Sequence, residues 1–271
     1  MDIRKRYLKE SFQEIDNIEF YKKEVEMLDI FKDATDFLYE YNESTKRQNN
    51  QPTTSDSRLR NLCGVYKLGR EVYSEVSPLV LHAMEKKKQL GHIKLNSFDE
   101  WHQTTRKIRI SRNQPVTEAV VGLGHELGHE VSGRDYFKGL QPLCEVPARA
   151  TEMEVSEHIK RLGMNTHSYT NGVTESLTNL IRSIKAETDV ITGKVSPATP
   201  NRYHDIYRSD VLPHYFGAVF NVLRADKYTH LAPLDTLFKM KNQDVIALTK
   251  QMTQSKQYVR NSLNEFLERN I

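Results

Sequence analysis

The stretch that most constrains the fold is VVGLGHELGHEVSG, at residues 120–133. It contains the pattern H-E-x-x-H, in which two histidines four positions apart fall on one face of a helix and can reach one metal ion. These histidines are His125 and His129, and Glu126 would project beside them toward a bound water. Gly133 is a typical helix stop. The stretch therefore predicts a zinc-binding helix in which Glu126 is catalytic.

Two glycines inside this predicted helix, Gly124 and Gly128, oppose helix formation. Each costs roughly 1 kcal/mol relative to alanine in a helix interior. Their position beside the histidines predicts that another backbone packs closely against this helix.

Composition excludes several classes of protein. No apolar run approaches the roughly 20 residues that a membrane-spanning helix needs, and a net charge of +3 is too small to indicate nucleic-acid binding. The first residues, MDIRKRYLKESF, lack the apolar region of a secretory signal, and Cys63 and Cys144 provide no disulfide framework. We therefore expect a cytoplasmic protein with neither a membrane nor a nucleic acid as partner. An injected effector, exported without a cleaved signal, would have the same features.

Charge and apolar spacing divide the chain into two parts. Residues 3–42 repeat apolar side chains at helical intervals, which predicts one or two amphipathic helices. Residues 43–57 are polar and turn-forming, which is typical of a linker. We therefore expect an N-terminal helical arm or cover at 1–50 and a catalytic domain at 58–271.

We expect the larger part to be mainly helical, with a small β element. Residues 58–90 have apolar side chains at helical spacing with a break at Pro78, and residues 229–271 repeat that pattern. Residues 107–111, KIRIS, alternate polar and apolar side chains and predict a short strand before the motif helix. An edge strand beside a metal commonly pairs with extended peptide backbone, so we expect this strand to hold substrate.

A second helix, EVPARATEMEVSEHIKRLG, is predicted at 145–163, because Pro147 suits a first turn and Gly163 suits an end. We expect it to supply the third metal ligand, since a catalytic zinc site takes three protein ligands and keeps a position for water. Most glutamates on a helix are simply solvated. The residues themselves leave four candidates open: Glu145, Glu152, Glu154 and Glu157.

The pairing of HELGH at 125–129 with EVPARATE at 145–152 resembles the oligopeptidase family that includes thimet oligopeptidase and oligoendopeptidase F. In that family an H-E-x-G-H helix is followed by a helix that opens on Glu, often Glu-x-Pro, and carries another Glu seven residues later. The resemblance implies a gluzincin with one zinc ion per chain, Glu145 as the third ligand and Glu152 supporting the site. It also implies a mainly α, zincin-like metallopeptidase core with an active-site cleft.

The chain departs from that family in two places. The interval from His129 to Glu145 is 16 positions, shorter than is usual, which implies a trimmed loop beside the cleft. The family also has a downstream His followed by Tyr-rich turns that stabilise the oxyanion. This chain offers four residues for that role, of which we take the last two as catalytic: His204, Tyr207, His214 and Tyr215.

Other zinc sites fit the sequence less well. A metzincin would need H-E-x-x-H-x-x-G-x-x-H, but Ser132 and Asp135 stand where the Gly and the third His belong. Cys144 could bind zinc in principle, but an unpaired cysteine is more often a small buried hydrophobic residue.

These patterns together predict a zinc-dependent endopeptidase or oligopeptidase. Its partner would be a peptide or protein substrate, attacked by a metal-activated water with Glu126 as general base. Two alternatives belong to other classes: a regulatory protease that cleaves one protein partner, such as a repressor or a host target, and a zinc-stabilised interaction protein without turnover.

Overall fold

The structure is a computed structural model, which describes residues 30–44, 59–96, 100–102, 106–133, 143–167, 169–177 and 211–270. It is mainly helical with one small sheet. The elements with defined bounds are α1 (Lys32–Ser44), α2 (Cys63–Val76), α3 (Pro78–Gln89), β1 (Ile93–Asn96), β2 (Glu100–His102), β3 (Lys107–Ser111), α4 (Val116–Ser132), α5 (Glu145–Arg161), α6 (Val211–Lys227), α7 (Leu234–Lys239), α8 (Asn242–Met252) and α9 (Lys256–Asn270). Residues 169–177 form a further helical stretch.

The mainly helical prediction is confirmed, and so is the small β element. The predictions for residues 1–29 and for most of the linker at 43–57 lie outside the described residues. None of the helices in the described part of the chain combines the length and the apolar character that a membrane crossing requires.

Prolines and glycines define the helix ends where the sequence places them. Pro78 opens α3 directly after Ser77, whose hydroxyl accepts a hydrogen bond from the backbone N–H of Val80. Gly133 follows α4 with a φ of 57°, and Gly163 follows α5 with a φ of 77°. Glycine adopts this left-handed conformation at little cost, so each residue ends its helix at the predicted point.

The strand predicted at 107–111 is present as β3, but it is the central strand of the sheet. It pairs parallel with β1 on one side and antiparallel with β2 on the other. Both of its edges are therefore occupied, and the prediction that this strand is an edge that holds substrate is wrong. The alternating pattern comes from the buried Ile108 and Ile110. Such a pattern indicates that one face of the strand is buried, but it does not indicate whether other strands lie on either side.

One hydrophobic core includes residues from both predicted parts of the chain. Helices α4 and α5 pack against each other at its centre, and α2, α3 and α6 surround them. Phe31, Ala34 and Leu38 belong to the same core, and α1 lies against α9. The division into an arm at 1–50 and a domain at 58–271 stays a prediction.

The backbones of α4 and α5 touch at Gly128. A Cβ atom on this residue would lie 2.8 Å from Cα of Ala148 and 3.1 Å from the carbonyl oxygen of Pro147. At Gly124 the nearest atom to such a Cβ is a side-chain methyl of Val155, at 3.1 Å. The close backbone approach predicted from these two glycines is therefore present at the second of them.

We expect Gly128→Ala to lower the free energy of unfolding by about 1–3 kcal/mol, because the added methyl overpacks two backbones that cannot move apart cheaply. This loss should exceed the gain in helix propensity of about 1 kcal/mol. Gly124→Ala is the matched control, since it has the same propensity gain on the same helix but meets a movable side chain. Urea unfolding measures both variants. Equal stability of the two would contradict the backbone contact.

Candidate metal centre

The two histidines of α4 face the first residue of α5. In the carboxylate of Glu145, Oε2 lies 3.5 Å from Nε2 of His125 and Oε1 lies 3.3 Å from Nε2 of His129. The candidate ligand atoms of the three residues all fall within 4.8 Å of one another. The structure therefore brings together His125, His129 and Glu145 as a group that could hold a metal ion.

The surroundings of the Glu145 carboxylate favour a bound cation. The residue is 2% exposed, and its Oε2 accepts no hydrogen bond from any described residue. A buried carboxylate oxygen without a partner is costly, and a cation would satisfy it. Two imidazoles and one carboxylate are also the protein ligands of a common class of catalytic zinc site. These residues thus fit the zinc ion that the resemblance implies.

The pKa shifts of Glu145 and His125 favour metal binding, and that of His129 opposes it. Burial raises the pKa of Glu145, but His214, His129 and His125 outweigh it and hold that pKa well below its usual range. Burial lowers the pKa of His125, against the opposing effects of Glu152 and Glu145. Burial also lowers the pKa of His129, but Glu145 reverses this effect, and the pKa is raised overall. Metal binding needs an ionised carboxylate and neutral imidazoles, so a proton competes with the metal chiefly at His129.

Glu152 lies behind His125. Its Oε2 is 3.0 Å from Nδ1 of the imidazole. Burial raises the pKa of Glu152, but Arg149 and His125 outweigh it and lower that pKa, so the carboxylate acts only as an acceptor. The hydrogen on His125 is thereby assigned to Nδ1, which leaves Nε2 free to bind a metal near Glu145.

Glu126 is adjacent to this group without belonging to it. It follows His125 on α4, is 8% exposed, and its charge contributes to the raised pKa of His129. The three residues that could hold a metal do not include it. Its role in proton transfer stays a prediction, and this position beside the ligands is compatible with it.

Helix α6 brings His214 to the site. Nε2 of His214 lies 3.7 Å from Oε2 of Glu145, and its side chain is 32% exposed. Gly217, one turn later, allows this approach, since a Cβ atom there would meet the carbonyl oxygen of Glu145 at 2.9 Å. Asn221 then donates a hydrogen bond of 3.0 Å to the carbonyl of Val146. These contacts hold α6 against the start of α5.

Tyr215 points into the core. Its side chain is fully buried, its hydroxyl lies 2.9 Å from Oγ1 of Thr35, and its ring packs edge-on against Phe31. Consecutive helical residues differ in direction by about 100°, which explains why only His214 faces the metal group. This placement gives no support to the predicted catalytic role of Tyr215. The other two oxyanion candidates, His204 and Tyr207, lie outside the described residues.

Comparisons of the chain with protein-family models, with curated proteins and with solved structures found no match. The resemblance to the oligopeptidases therefore rests on the motifs of α4 and α5 alone.

The other ligand candidates on α5 and beside it lie outside the group that could hold a metal. Glu154 forms an ion pair of 2.9 Å with Arg224, and Glu157 is exposed. Cys144 is buried, as the sequence predicts, with Sγ 3.9 Å from Oε1 of Glu145. It is not among the residues that could hold a metal.

Sequence reasoning missed Arg149. This buried residue of α5 donates a hydrogen bond of 2.8 Å to Glu152. The available signal was its position three residues before an acidic side chain on the same helix, a spacing at which oppositely charged side chains meet. That spacing also occurs on most solvated helices, so it does not identify a buried pair by itself.

Proposed function

We propose that this chain is a zinc-dependent peptide hydrolase, a gluzincin whose single zinc ion is held by His125, His129 and Glu145. The approach of His125 and His129 to the buried carboxylate of Glu145, whose Oε2 accepts no hydrogen bond from any described residue, carries the proposal. A zinc ion held there would supply Lewis-acid chemistry, by lowering the pKa of a water toward about 7 and polarising the scissile carbonyl.

The residues around the ligands supply the proton transfers and the orientation. Glu126 accepts the proton of the attacking water and returns it to the nitrogen of the leaving amine. Glu152 holds Nδ1 of His125 and so keeps the imidazole in place during turnover. The partly exposed His214 donates a hydrogen bond to the oxyanion that forms on the former carbonyl oxygen.

The proposed substrate is an extended segment of a peptide or protein. Strand β2 supports this, because it forms an edge of the sheet and contacts α4, the helix of the two histidines. Main-chain hydrogen bonds to such an edge bind extended backbone with little demand on side chains. Among the described strands, β2 thus replaces β3 as the candidate for pairing with substrate.

A closed zinc site is the second candidate, and His214 is the observation that favours it. Its Nε2 is close enough to Glu145 to act as a fourth protein ligand after a small movement. A structural zinc site has four protein ligands and leaves no position for water. In that case the chain would be a zinc-stabilised interaction protein without turnover.

His214→Ala distinguishes the two candidates. We expect the variant to keep one zinc per chain and to lose roughly 100-fold in peptide hydrolysis, because an oxyanion donor is removed while the three ligands remain. His230→Ala is the matched control, since His230 is exposed and follows the same helix. Zinc content and hydrolysis of a peptide library measure both effects. Loss of zinc from His214→Ala, with no hydrolysis by the zinc-loaded parent protein, would establish the closed site.

A further inference from the structure

We propose that Arg149 is a positioning residue of the metal centre, which acts through Glu152 to fix the nitrogen that His125 presents to the metal. The proposal rests on the metal site described above, and it assigns to that site a residue whose described hydrogen bonds and ion pair go to Glu152 and Ser176, neither of which is a ligand.

Arg149 and His125 both contact one oxygen atom, Oε2 of Glu152. Nη1 of Arg149 donates a hydrogen bond of 2.8 Å to Oε2 of Glu152, which lies 3.0 Å from Nδ1 of His125. A guanidinium keeps its charge at all relevant pH values, so its contact favours the ionised carboxylate. An ionised carboxylate only accepts hydrogen bonds, and Nδ1 must therefore carry the hydrogen. Nε2 of His125 then keeps its lone pair on the side of Glu145.

The helical stretch 169–177 also contacts the guanidinium of Arg149. Nη2 of Arg149 donates to Oγ of Ser176 at 3.4 Å, and Ser176 donates in turn to the carbonyl of Gly172 at 2.7 Å. A Cβ atom at Gly172 would overlap Nη1 of Arg149 and approach Glu152. Only a glycine therefore leaves room for this arginine, which is 7% exposed.

This arrangement couples the stretch 169–177 to the metal ligands. A displacement at Gly172 would move Arg149, release Glu152, and free the ring of His125 to rotate or change tautomer. A purely structural arginine would only neutralise a buried carboxylate. The two roles differ in what they predict for the metal, because loss of a structural pair lowers stability and leaves the ligand geometry of the folded protein unchanged.

The test compares the metal affinity of the full chain and its variants, with Zn²⁺ in chelator competition and Co²⁺ as a spectroscopic probe. Arg149→Met should weaken Zn²⁺ binding by about 10–100-fold and change the visible absorption of bound Co²⁺. Arg149→Lys should restore part of the affinity, because it keeps a charge near Glu152. Arg161→Met is the matched control, since Arg161 is an exposed residue of the same helix.

Two further variants keep the test decisive if Arg149→Met does not fold. Gly172→Ala displaces the guanidinium without changing any charge, and it should also weaken Zn²⁺ binding. In a Glu152→Ala background, a second substitution of Arg149 by Lys should have little additional effect, because the side chain that joins Arg149 to His125 is absent. Additive losses, or unchanged Zn²⁺ affinity and Co²⁺ absorption in Arg149→Lys and Gly172→Ala, would overturn the proposal.

The outcomes separate this proposal from the proposed function. Zinc binding that depends on Arg149, in a protein that cleaves no peptide, would refute the peptidase and support the positioning role. Zinc-dependent hydrolysis of peptides, with a zinc affinity that does not change when Arg149 is substituted, would support the peptidase and refute the positioning role.

Discussion

Glu126→Gln is expected to reduce peptide hydrolysis by roughly 100- to 10,000-fold, while zinc stays bound. Glutamine has almost the same shape but cannot accept the proton of the attacking water. The buried Glu126 lies outside the group that could hold a metal, so the ligands should be unaffected. Turnover of a peptide substrate and the zinc content of the same sample measure the two effects.

Glu118→Gln is the control for this substitution. Glu118 lies in the first turn of the same helix, seven positions before His125, and its carboxylate accepts hydrogen bonds from Thr166 and His167. Hydrolysis and zinc content should both remain near those of the parent protein. If Glu126→Gln instead loses its zinc, the roles assigned to Glu126 and to the ligands on α4 are wrong.

Glu145→Ala should release zinc, whereas Glu152→Ala should weaken its binding by only about 10–100-fold. Glu145 supplies the carboxylate that lies near Nε2 of both imidazoles, and its removal leaves two protein ligands. Glu152 contacts His125 only at Nδ1, the nitrogen that faces away from the metal group. The spacing of seven positions between the two glutamates thus separates a ligand from the residue that supports it.

Chelator competition ranks the zinc affinities of both variants. Glu157→Ala is the matched control, because Glu157 is an exposed residue of α5, and its affinity should equal that of the parent protein. A larger loss in Glu152→Ala than in Glu145→Ala would make Glu152 the ligand and Glu145 its support.

Features set by local chemistry could be predicted from the sequence. The four-residue spacing of His125 and His129 places them on one helix face wherever that helix lies. Gly133 and Gly163 end their helices because of their own backbone preferences, and the apolar repeats of 229–271 correspond to α7, α8 and α9. Glu145 was selected by the resemblance, and its place between the histidines agrees with that choice.

Features set by distant parts of the chain could not be predicted in this way. The central position of β3 depends on β1 and β2, which have four and three residues and are too short for a clear alternating pattern. The choice of His214 over Tyr215 depends on the direction from which α6 approaches α5, which Gly217 permits. The role of Arg149 depends on a glycine 23 positions later, at 172.

Crystallography of the zinc-loaded protein at the zinc absorption edge tests whether His125, His129 and Glu145 bind one zinc ion. We expect one anomalous peak per chain, with one nitrogen of each imidazole and one Glu145 oxygen about 2.0–2.2 Å from it. A peak bonded to Glu152 or to another carboxylate in place of Glu145, or no peak between the two histidines, would contradict this prediction.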